Sequence, residues 1–268
     1  MNRNFPSLGM TLSTLGLVSV FLATNAIGTS NDTAPSTSAY ISVYSTDLGS
    51  GLGSLLIQAE QPADIMLVND PAVAGRRAIR VQVHKSDDFS KVANGSPRSE
   101  FTLPRDFHMA PGEEYLIRWR TYLPRDFAFD RQQMEIITQI HQSGSRGSPP
   151  FMLTLLGMDY TLSVRGGGNT EHGSGVRLCY ARDDLDRWVN WTLQYTPDAS
   201  GREAVTRLWK DGKLVFNGNG LANAYPGDQF AYLKFGVYKP GWLRQPSDVN
   251  AVELYFGDLS VFAKTVRR

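Results

Sequence analysis

Residues 209–215 read Trp209-Lys210-Asp211-Gly212-Lys213-Leu214-Val215, a sequence that predicts a tight β-hairpin. The Asp-Gly pair favours a two-residue turn whose backbone twist matches that of the flanking strands. Strands joined by such a turn run antiparallel. The local chemistry of this segment therefore indicates an antiparallel sheet.

Alternating hydrophobic patterns extend this interpretation to most of the chain. Within residues 77–84, Ile79, Val81 and Val83 share one face of an extended strand, with polar residues between them. Comparable runs occupy residues 115–122, 134–141, 151–156, 160–165, 188–195, 204–210, 231–238 and 251–256. No segment shows helical periodicity over three turns. The pattern predicts an all-β fold, a two-sheet antiparallel β-sandwich of the concanavalin-like β-jelly-roll type with a concave groove that suits a polymer.

The 268 residues are enough for one large core, and we expect a single β domain over residues 41–268. Residues 1–26 are predicted to be a signal peptide, because Arg3 precedes an apolar run from Leu12 to Leu22 and small residues follow at 24–26. Polar residues interrupt that run, which makes a membrane anchor the weaker alternative. Residues 27–40 are small and polar and predict a flexible leader. We therefore expect a secreted or periplasmic protein that does not associate with a membrane after signal cleavage.

Charge and cysteine content narrow the classes of function. The chain has 27 basic and 26 acidic residues, so a nucleic-acid-binding surface is not indicated. Cys179 is the single cysteine, which argues against disulfides and zinc-thiolate chemistry. The acidic run at 183–186 lacks the spacing of a calcium loop and is interpreted as a solvated turn, with a structural calcium ion as the alternative. We expect a monomer with no cofactor and no catalytic metal.

Three short blocks carry polar residues that one β-sheet could bring together. They are residues 97–101 (Pro-Arg-Ser-Glu-Phe), 139–141 (Gln-Ile-His) and 232–239 (Tyr-Leu-Lys-Phe-Gly-Val-Tyr-Lys). Side chains two residues apart in a strand share a face. The residues that project together in this way are Arg98 with Glu100, Ile137 with Gln139 and His141, and Lys234 with Gly236 and Tyr238. On neighbouring strands they would form one polar stripe.

Such a stripe contains the groups needed to cut an acidic sugar chain by elimination. Removal of a proton next to a carboxylate requires that the negative charge be neutralised first, which Arg98 and Gln139 can do. His141 and Tyr238 are the candidates to take the C5 proton and to protonate the departing glycosidic oxygen. Each block also has a plain structural interpretation: an exposed ion pair, a satisfied polar pair at a strand end, or ordinary tyrosine packing.

Further residues are predicted to contact substrate. Glu100 would hold the guanidinium of Arg98, while Lys234 and Lys239 would stabilise a phenolate at Tyr238. Trp242 would stack on a sugar, and Gly236 would leave room for a sugar ring. The complete set of predicted substrate-binding residues is Glu100, Arg118, Arg120, Asn190, Lys234, Lys239 and Trp242.

The three blocks resemble those of the jelly-roll polysaccharide lyases. In the family 7 alginate lyases they read Arg-Ser-Glu-Leu-Arg, Gln-Ile-His and Tyr-Phe-Lys-Ala-Gly-x-Tyr-Asn-Gln. This chain differs at Phe101, Thr102, Phe235 and Lys239.

Together with residues 114–124, 148–151 and 209–213, these differences make residues 60–262 more similar to the group of heparin lyase I and the glucuronan lyases, family 20-like. The resemblance implies a catalytic set of Arg98, Gln139, His141 and Tyr238, assisted by Lys239.

Two stereochemical courses stay open. In 4-linked β-glucuronate or mannuronate the C5 hydrogen and O4 lie on the same side, so Tyr238 alone can remove and return the proton; in guluronate or iduronate they are opposed, and His141 and Tyr238 would divide the work. We expect a secreted, endo-acting lyase of an anionic polysaccharide, with glucuronan first and alginate second. The alternatives are a non-catalytic lectin-like module and a β-sandwich glycoside hydrolase, which needs two carboxylates.

Overall fold

The computed structural model describes residues 33–144, 147–168 and 175–264. Within these ranges the chain forms sixteen β-strands and four short 3-10 helices. The strands are β1 (Tyr40–Ser45), β2 (Leu56–Gln58), β3 (Ile65–Asn69), β4 (Arg77–His84), β5 (Arg98–Thr102), β6 (Tyr115–Leu123), β7 (Glu135–His141), β8 (Phe151–Leu156), β9 (Asp159–Val164), β10 (Val176–Tyr180), β11 (Arg187–Thr196), β12 (Val205–Lys210), β13 (Lys213–Asn217), β14 (Tyr232–Tyr238), β15 (Ala251–Phe256) and β16 (Ser260–Lys264). The 3-10 helices are Thr37–Ala39, Pro62–Asp64, Phe89–Lys91 and Ala181–Asp184.

The predicted signal peptide at 1–26 and the predicted leader up to residue 32 lie outside the described residues. The last part of the predicted leader contains the 3-10 helix Thr37–Ala39, and β1 begins at Tyr40. None of the helices in the described ranges is long and apolar enough to cross a membrane.

The paired strands form two antiparallel sheets. One has nine strands, in the order β13-β12-β11-β6-β15-β4-β3, with β16 also pairing with β6 and β1 pairing with β16. The other has seven strands, in the order β10-β9-β8-β7-β14-β5-β2. The predicted all-β, two-sheet antiparallel sandwich is confirmed.

An aromatic cluster fills the core between the sheets. Phe101 of β5 and Phe235 of β14 stack with ring centroids 5.7 Å apart, and Phe256 of β15 meets Phe101 edge-on at 5.3 Å. Trp119 of β6 contacts Phe235 from the nine-stranded sheet. Because side chains alternate along a strand, the inward direction of Phe101 and Phe235 turns their neighbours to the outer face of the seven-stranded sheet.

The predicted hairpin is present between β12 and β13. Lys210 pairs with Lys213, and Asp211 and Gly212 have φ values of 49° and 80°. Two positive φ values are the conformation that an Asp-Gly turn favours. The Asp211 carboxylate also accepts a hydrogen bond from the backbone N–H of Asn190 at 2.9 Å, which ties the turn to β11.

Two local expectations were wrong. A β-bulge between Ile136 and Thr138 interrupts the alternation of β7, so that Ile137 packs in the core and does not share a face with Gln139. The acidic run at 183–186 is not a solvated turn throughout. Asp184 is fully buried, and its Oδ2 forms an ion pair with Lys210 Nζ at 2.8 Å. A buried carboxylate requires a partner of this kind.

Candidate active site

The three polar blocks lie on three neighbouring strands, β7, β14 and β5. Across the first pair, Lys234 lies opposite Gln139 and Tyr232 lies opposite His141. Across the second, Tyr238 lies opposite Arg98 and Gly236 lies opposite Glu100. We call the outer face of the seven-stranded sheet at these strands the site face. The site face contains Arg98, Glu100, Gln139, His141, Tyr232, Lys234 and Tyr238.

Glu100 is the centre of the hydrogen-bond network on the site face. Gln139 Nε2 donates to its Oε1 at 2.5 Å, while Lys234 Nζ and Arg98 Nη1 lie 2.5 and 3.3 Å from its Oε2. The carboxylate is 1% exposed, so these donors replace the water that it would otherwise bind. Two cations face one anion, which leaves one net positive charge for an anionic ligand.

Arg98 is held in one orientation by its neighbours. Its Nη2 donates to Asn94 Oδ1 at 2.7 Å, and its Nε donates to the carbonyl of Ser96 at 3.3 Å. The guanidinium carbon lies 4.0 Å from the centroid of the Tyr238 ring, a cation–π contact. This contact places a fixed positive charge beside the half-buried phenol at the end of β14.

One ring nitrogen of His141 is held by a backbone hydrogen bond. Its Nδ1 lies 2.7 Å from the carbonyl oxygen of Gln142, which can only accept, so Nδ1 carries a proton and the lone pair of the neutral imidazole is on Nε2. The ring stacks on Tyr232 at 5.3 Å, which fixes its orientation. Burial lowers the pKa of His141, and the positive charges of Lys234 and Arg98 act in the same direction. His141 is thus prepared to accept a proton.

Gly236 has a backbone role that differs from the predicted one. Its φ of 134° is in a region that side chains disfavour, and an added Cβ would lie 2.7 Å from Glu100 Cα and closer still to the carbonyl of Ser99. The glycine therefore lets the backbone of β5 approach β14. It does not leave space for a sugar ring, and the expectation is corrected.

Lys239 and Trp242 do not lie on the site face. Lys239 points into the protein, where its Nζ lies 2.9 Å from Asp130 Oδ2 and 3.1 Å from Glu135 Oε1. Trp242 is fully buried, packs over Lys239 at 5.3 Å and donates its ring N–H to Ser247. The prediction that these two residues contact substrate is corrected, because both are sealed below the surface.

Arg118, Arg120 and Asn190 belong to the other sheet. Arg118 and Arg120 are on β6 and Asn190 is on β11, both in the nine-stranded sheet. Arg120 forms an ion pair with Asp258 at 2.9 Å, and Asn190 donates to Asp211. These three residues face away from the site face, on the opposite side of the sandwich, so their predicted place in the groove is corrected.

Two residues of the site were missed by sequence reasoning. Tyr232 orients His141, and Asn94 orients Arg98. Tyr232 could have been found, since it precedes Lys234 by two residues and shares its face. Asn94 lies before β5 in the chain, outside any strand pattern, so nothing in the sequence indicated it.

The arrangement can bind an anion between two candidate proton carriers. Lys234, Arg98 and Gln139 converge on Glu100, with His141 on the β7 flank and Tyr238 beside Arg98. A two-sheet β-sandwich with this set on one outer face combines a positive centre with two proton carriers, which is the chemistry that binding and deprotonating an anionic ligand requires.

The polysaccharide lyase family model matches residues 50–260, and the chain belongs to that family. It is a polysaccharide lyase. A search of curated proteins found no match.

Solved structures with the same fold include the endo-β-1,4-glucuronan lyase of the fungus Trichoderma reesei, with 17% identity, a TM-score of 0.67, and 82% of this chain and 95% of that chain covered. A family 7 alginate lyase, A1-II′, solved in complex with substrate, has 14% identity and a TM-score of 0.54, with 78% and 84% covered. The binding domain of botulinum neurotoxin DC, in complex with rat synaptotagmin II, has 10% identity and a TM-score of 0.51, with 84% of this chain and 48% of that chain covered. Since the last is a binding domain, the fold alone does not specify the chemistry.

Proposed function

We propose that this lyase cleaves a polyuronate by β-elimination, with glucuronan as its first substrate and alginate as its second. The observation that carries the proposal is the net positive centre at Glu100, formed by Arg98 and Lys234 beside His141. A uronate carboxylate bound there would have its charge neutralised while the adjoining C5 proton leaves. The similarity to the Trichoderma glucuronan lyase supports the order of the two substrates.

The reaction follows from these positions. Arg98, the most exposed of the three donors around Glu100, would bind the substrate carboxylate, and Gln139 would hold Glu100 beside it, which makes the C5 proton more acidic. His141 Nε2 or the Tyr238 oxygen accepts that proton, and the electron pair forms the C4–C5 double bond. The bond from C4 to the glycosidic oxygen breaks, and the oxygen leaves with a proton from Tyr238. The products are an unsaturated uronide and a new reducing end.

The two acids that the sequence offered for a hydrolase, Glu100 and Glu135, are both engaged in buried ion pairs. Glu100 already accepts three donors, and Glu135 is sealed below the surface with Lys239. A hydrolase needs one carboxyl group to protonate the leaving oxygen and another to act on water or on the sugar. Neither of these two acids is placed for that work.

The purified protein should be incubated separately with glucuronan, alginate, heparin and hyaluronan. We expect ultraviolet absorbance from unsaturated uronides to rise with glucuronan and, more slowly, with alginate. Reducing ends without this absorbance would support hydrolysis. Absence of product with all four polymers would contradict the proposal.

Replacement of Tyr238 separates a lyase from a lectin-like module. Tyr238→Phe should lower kcat by a factor of about 100 or more while polymer binding persists. The matched control is Tyr255→Phe, a half-buried tyrosine on β15 of the other sheet, which should leave turnover unchanged. We further propose that the protein is secreted, on the basis of the signal-like segment at 1–26.

A further inference from the structure

Arg165 lies on the site face, two strands away from His141. Ile140 of β7 pairs with Phe151 of β8, and Phe151 pairs with Val164 of β9. The adjacent residues His141, Pro150 and Arg165 therefore form the next cross-strand row. The Arg165 N–H continues this ladder by donating to the carbonyl of Pro150 at 2.9 Å. Two strand spacings separate His141 and Arg165, about 10 Å between their backbones.

The alternation of β9 gives the direction of the side chain. Tyr160 and Leu162 point into the core and Val164 packs against it. Arg165 is therefore turned to the opposite, outer face of the sheet, the one that carries His141 and Gln139. Arg165 therefore lies on the site face, which also contains Glu100.

Within residues 33–144, 147–168 and 175–264, the charge of Arg165 has no counterion. The side chain is 2% exposed, its Nη1 donates only to the carbonyl of Pro149 at 3.1 Å, and its buried Nε has no hydrogen-bond partner. The ion pairs among the described residues do not include it, in contrast to Arg98, which is paired with Glu100. Burial lowers the pKa of Arg165, yet a guanidinium stays charged in proteins. An unpaired buried cation is costly, and a bound anion removes that cost.

A cavity of about 350 Å³ lies next to the segment that holds Arg165. It is lined by Gln142, Ser143, Gly144, Tyr225, Pro226, Gly227 and Asp228. Tyr225 donates to the carbonyl of Ser148 at 2.6 Å, next to the Pro149 carbonyl that holds Arg165. One lining residue, Gln142, directly follows His141 in the chain. The cavity wall is therefore connected to the His141 end of β7 and, through Tyr225 and Ser148, to the segment that holds Arg165.

We propose that Arg165 binds the carboxylate of a second uronate unit, next to the sugar whose carboxylate is held at the Arg98, Glu100 and Lys234 centre. The inference rests on the proposed function, because only a polyuronate presents a carboxylate on neighbouring sugars. It assigns a second anionic subsite to the β9 side of His141. Its consequence is a requirement for charge on more than one sugar of the substrate.

The alternative is a purely structural arginine that holds the turn before β8. Arg118 supplies the comparison, since it also donates to a carbonyl, that of Pro35 at 2.8 Å, and also has a buried Nε without a partner, but lies on the other sheet. Arg118→Gln is therefore the matched control for Arg165→Gln.

Binding should be measured by calorimetry in the Tyr238→Phe background, which prevents turnover. The ligands are a glucuronate hexasaccharide and its carboxyl-reduced, neutral counterpart. We expect Arg165→Gln to weaken hexasaccharide binding by about tenfold or more, the usual loss for one charge-assisted contact. Binding of the neutral counterpart and the unfolding midpoint should not change, and Arg118→Gln should match the parent in every measurement.

Each other outcome would overturn the inference. Equal hexasaccharide binding by Arg165→Gln and the parent would show that no carboxylate meets Arg165. An equal loss for the neutral ligand, or a lower unfolding midpoint, would show a structural role. Failure of the proposed function would appear separately, as absence of unsaturated product from the unsubstituted protein. A parent that binds no hexasaccharide would overturn both.

Discussion

Lys234 Nζ lies 2.5 Å from Glu100 Oε2, with both side chains almost fully buried on the outer side of the seven-stranded sheet. The pair joins β14 to β5, and the same carboxylate reaches β7 through Gln139. The three strands of the site are thus linked by one anion. Burial lowers the pKa of Lys234, and the charge of Glu100 opposes that shift, so the pair keeps its cation through mutual contact.

Glu100→Gln should destabilise the protein strongly, because it leaves Arg98 and Lys234 as buried cations without an anion. Removal of one partner from a buried pair costs about 3–5 kcal/mol. The free energy of unfolding in urea measures the effect. Glu253→Gln is the control, since Glu253 lies 3.9 Å from Arg80 in a partly exposed pair, and its loss should cost less than about 1 kcal/mol. Similar losses in both variants would contradict the central role of Glu100.

Gly236→Ala should disturb the junction of β14 and β5. The added Cβ would meet the backbone of Ser99 and Glu100 at a φ of 134°, and backbone atoms cannot move aside as a flexible side chain can. We expect a loss of at least about 2 kcal/mol of unfolding free energy. Gly168→Ala is the control, since its Cβ would meet nothing within 4 Å. An unaffected Gly236→Ala protein would show that the two strands separate easily.

The pH dependence of turnover tests His141. Because burial lowers the pKa of His141, the imidazole becomes neutral at a lower pH than a free one, and a neutral base is the active form. We expect kcat/KM to fall on the acid side only below the usual imidazole value of about 6.5. With a guluronate polymer, in which His141 would be the base, His141→Asn should lose most of kcat and also this acid limb. An acid limb that persists in His141→Asn would assign the titration to another group.

Glu135 makes stability depend on pH near neutrality. Burial raises the pKa of Glu135 to about 7, against the opposing charge of Lys239. The folded state therefore keeps a proton on Glu135 that the unfolded state releases near pH 4.5. The stability gained from this bound proton is complete below pH 4.5 and is lost as the pH rises to about 7.

Glu135→Gln should remove this dependence. Relative to the parent, the variant should gain stability between pH 5 and pH 7.5, as determined from unfolding free energies at several pH values in that range. Glu203→Gln, at an exposed position, should follow the parent throughout. A parent whose stability does not fall across this range would contradict a buried proton at Glu135.

Much of the strand content could be predicted from the chain. The strands 77–84, 151–156 and 251–256 were predicted with the bounds that the structure has. The short edge strands β2 and β3 were not, because exposed residues such as Leu56 and Met66 blur the alternation where one sheet face is only partly covered.

The same contrast holds at the site. Arg98, Gln139, His141 and Tyr238 were singled out from period-two spacing within three blocks, and the structure places those blocks on adjacent strands. Arg118 and Arg120 have the same spacing and lie on the opposite sheet. Two-residue spacing shows which side chains share a face of one strand. It does not show which of the two sheets that strand belongs to, because polar residues alternate in the same way on both outer faces of a sandwich.

The order of residues by itself determined an antiparallel all-β chain, since turn chemistry and side-chain alternation are properties of neighbouring residues. Only the tertiary structure decided that β5, β14 and β7 are neighbours, that the bulge in β7 turns Ile137 inward, and that Lys239 is buried against Asp130. The physical reason is that strand neighbours and burial are set by the packing of the whole core, which joins residues far apart in the chain.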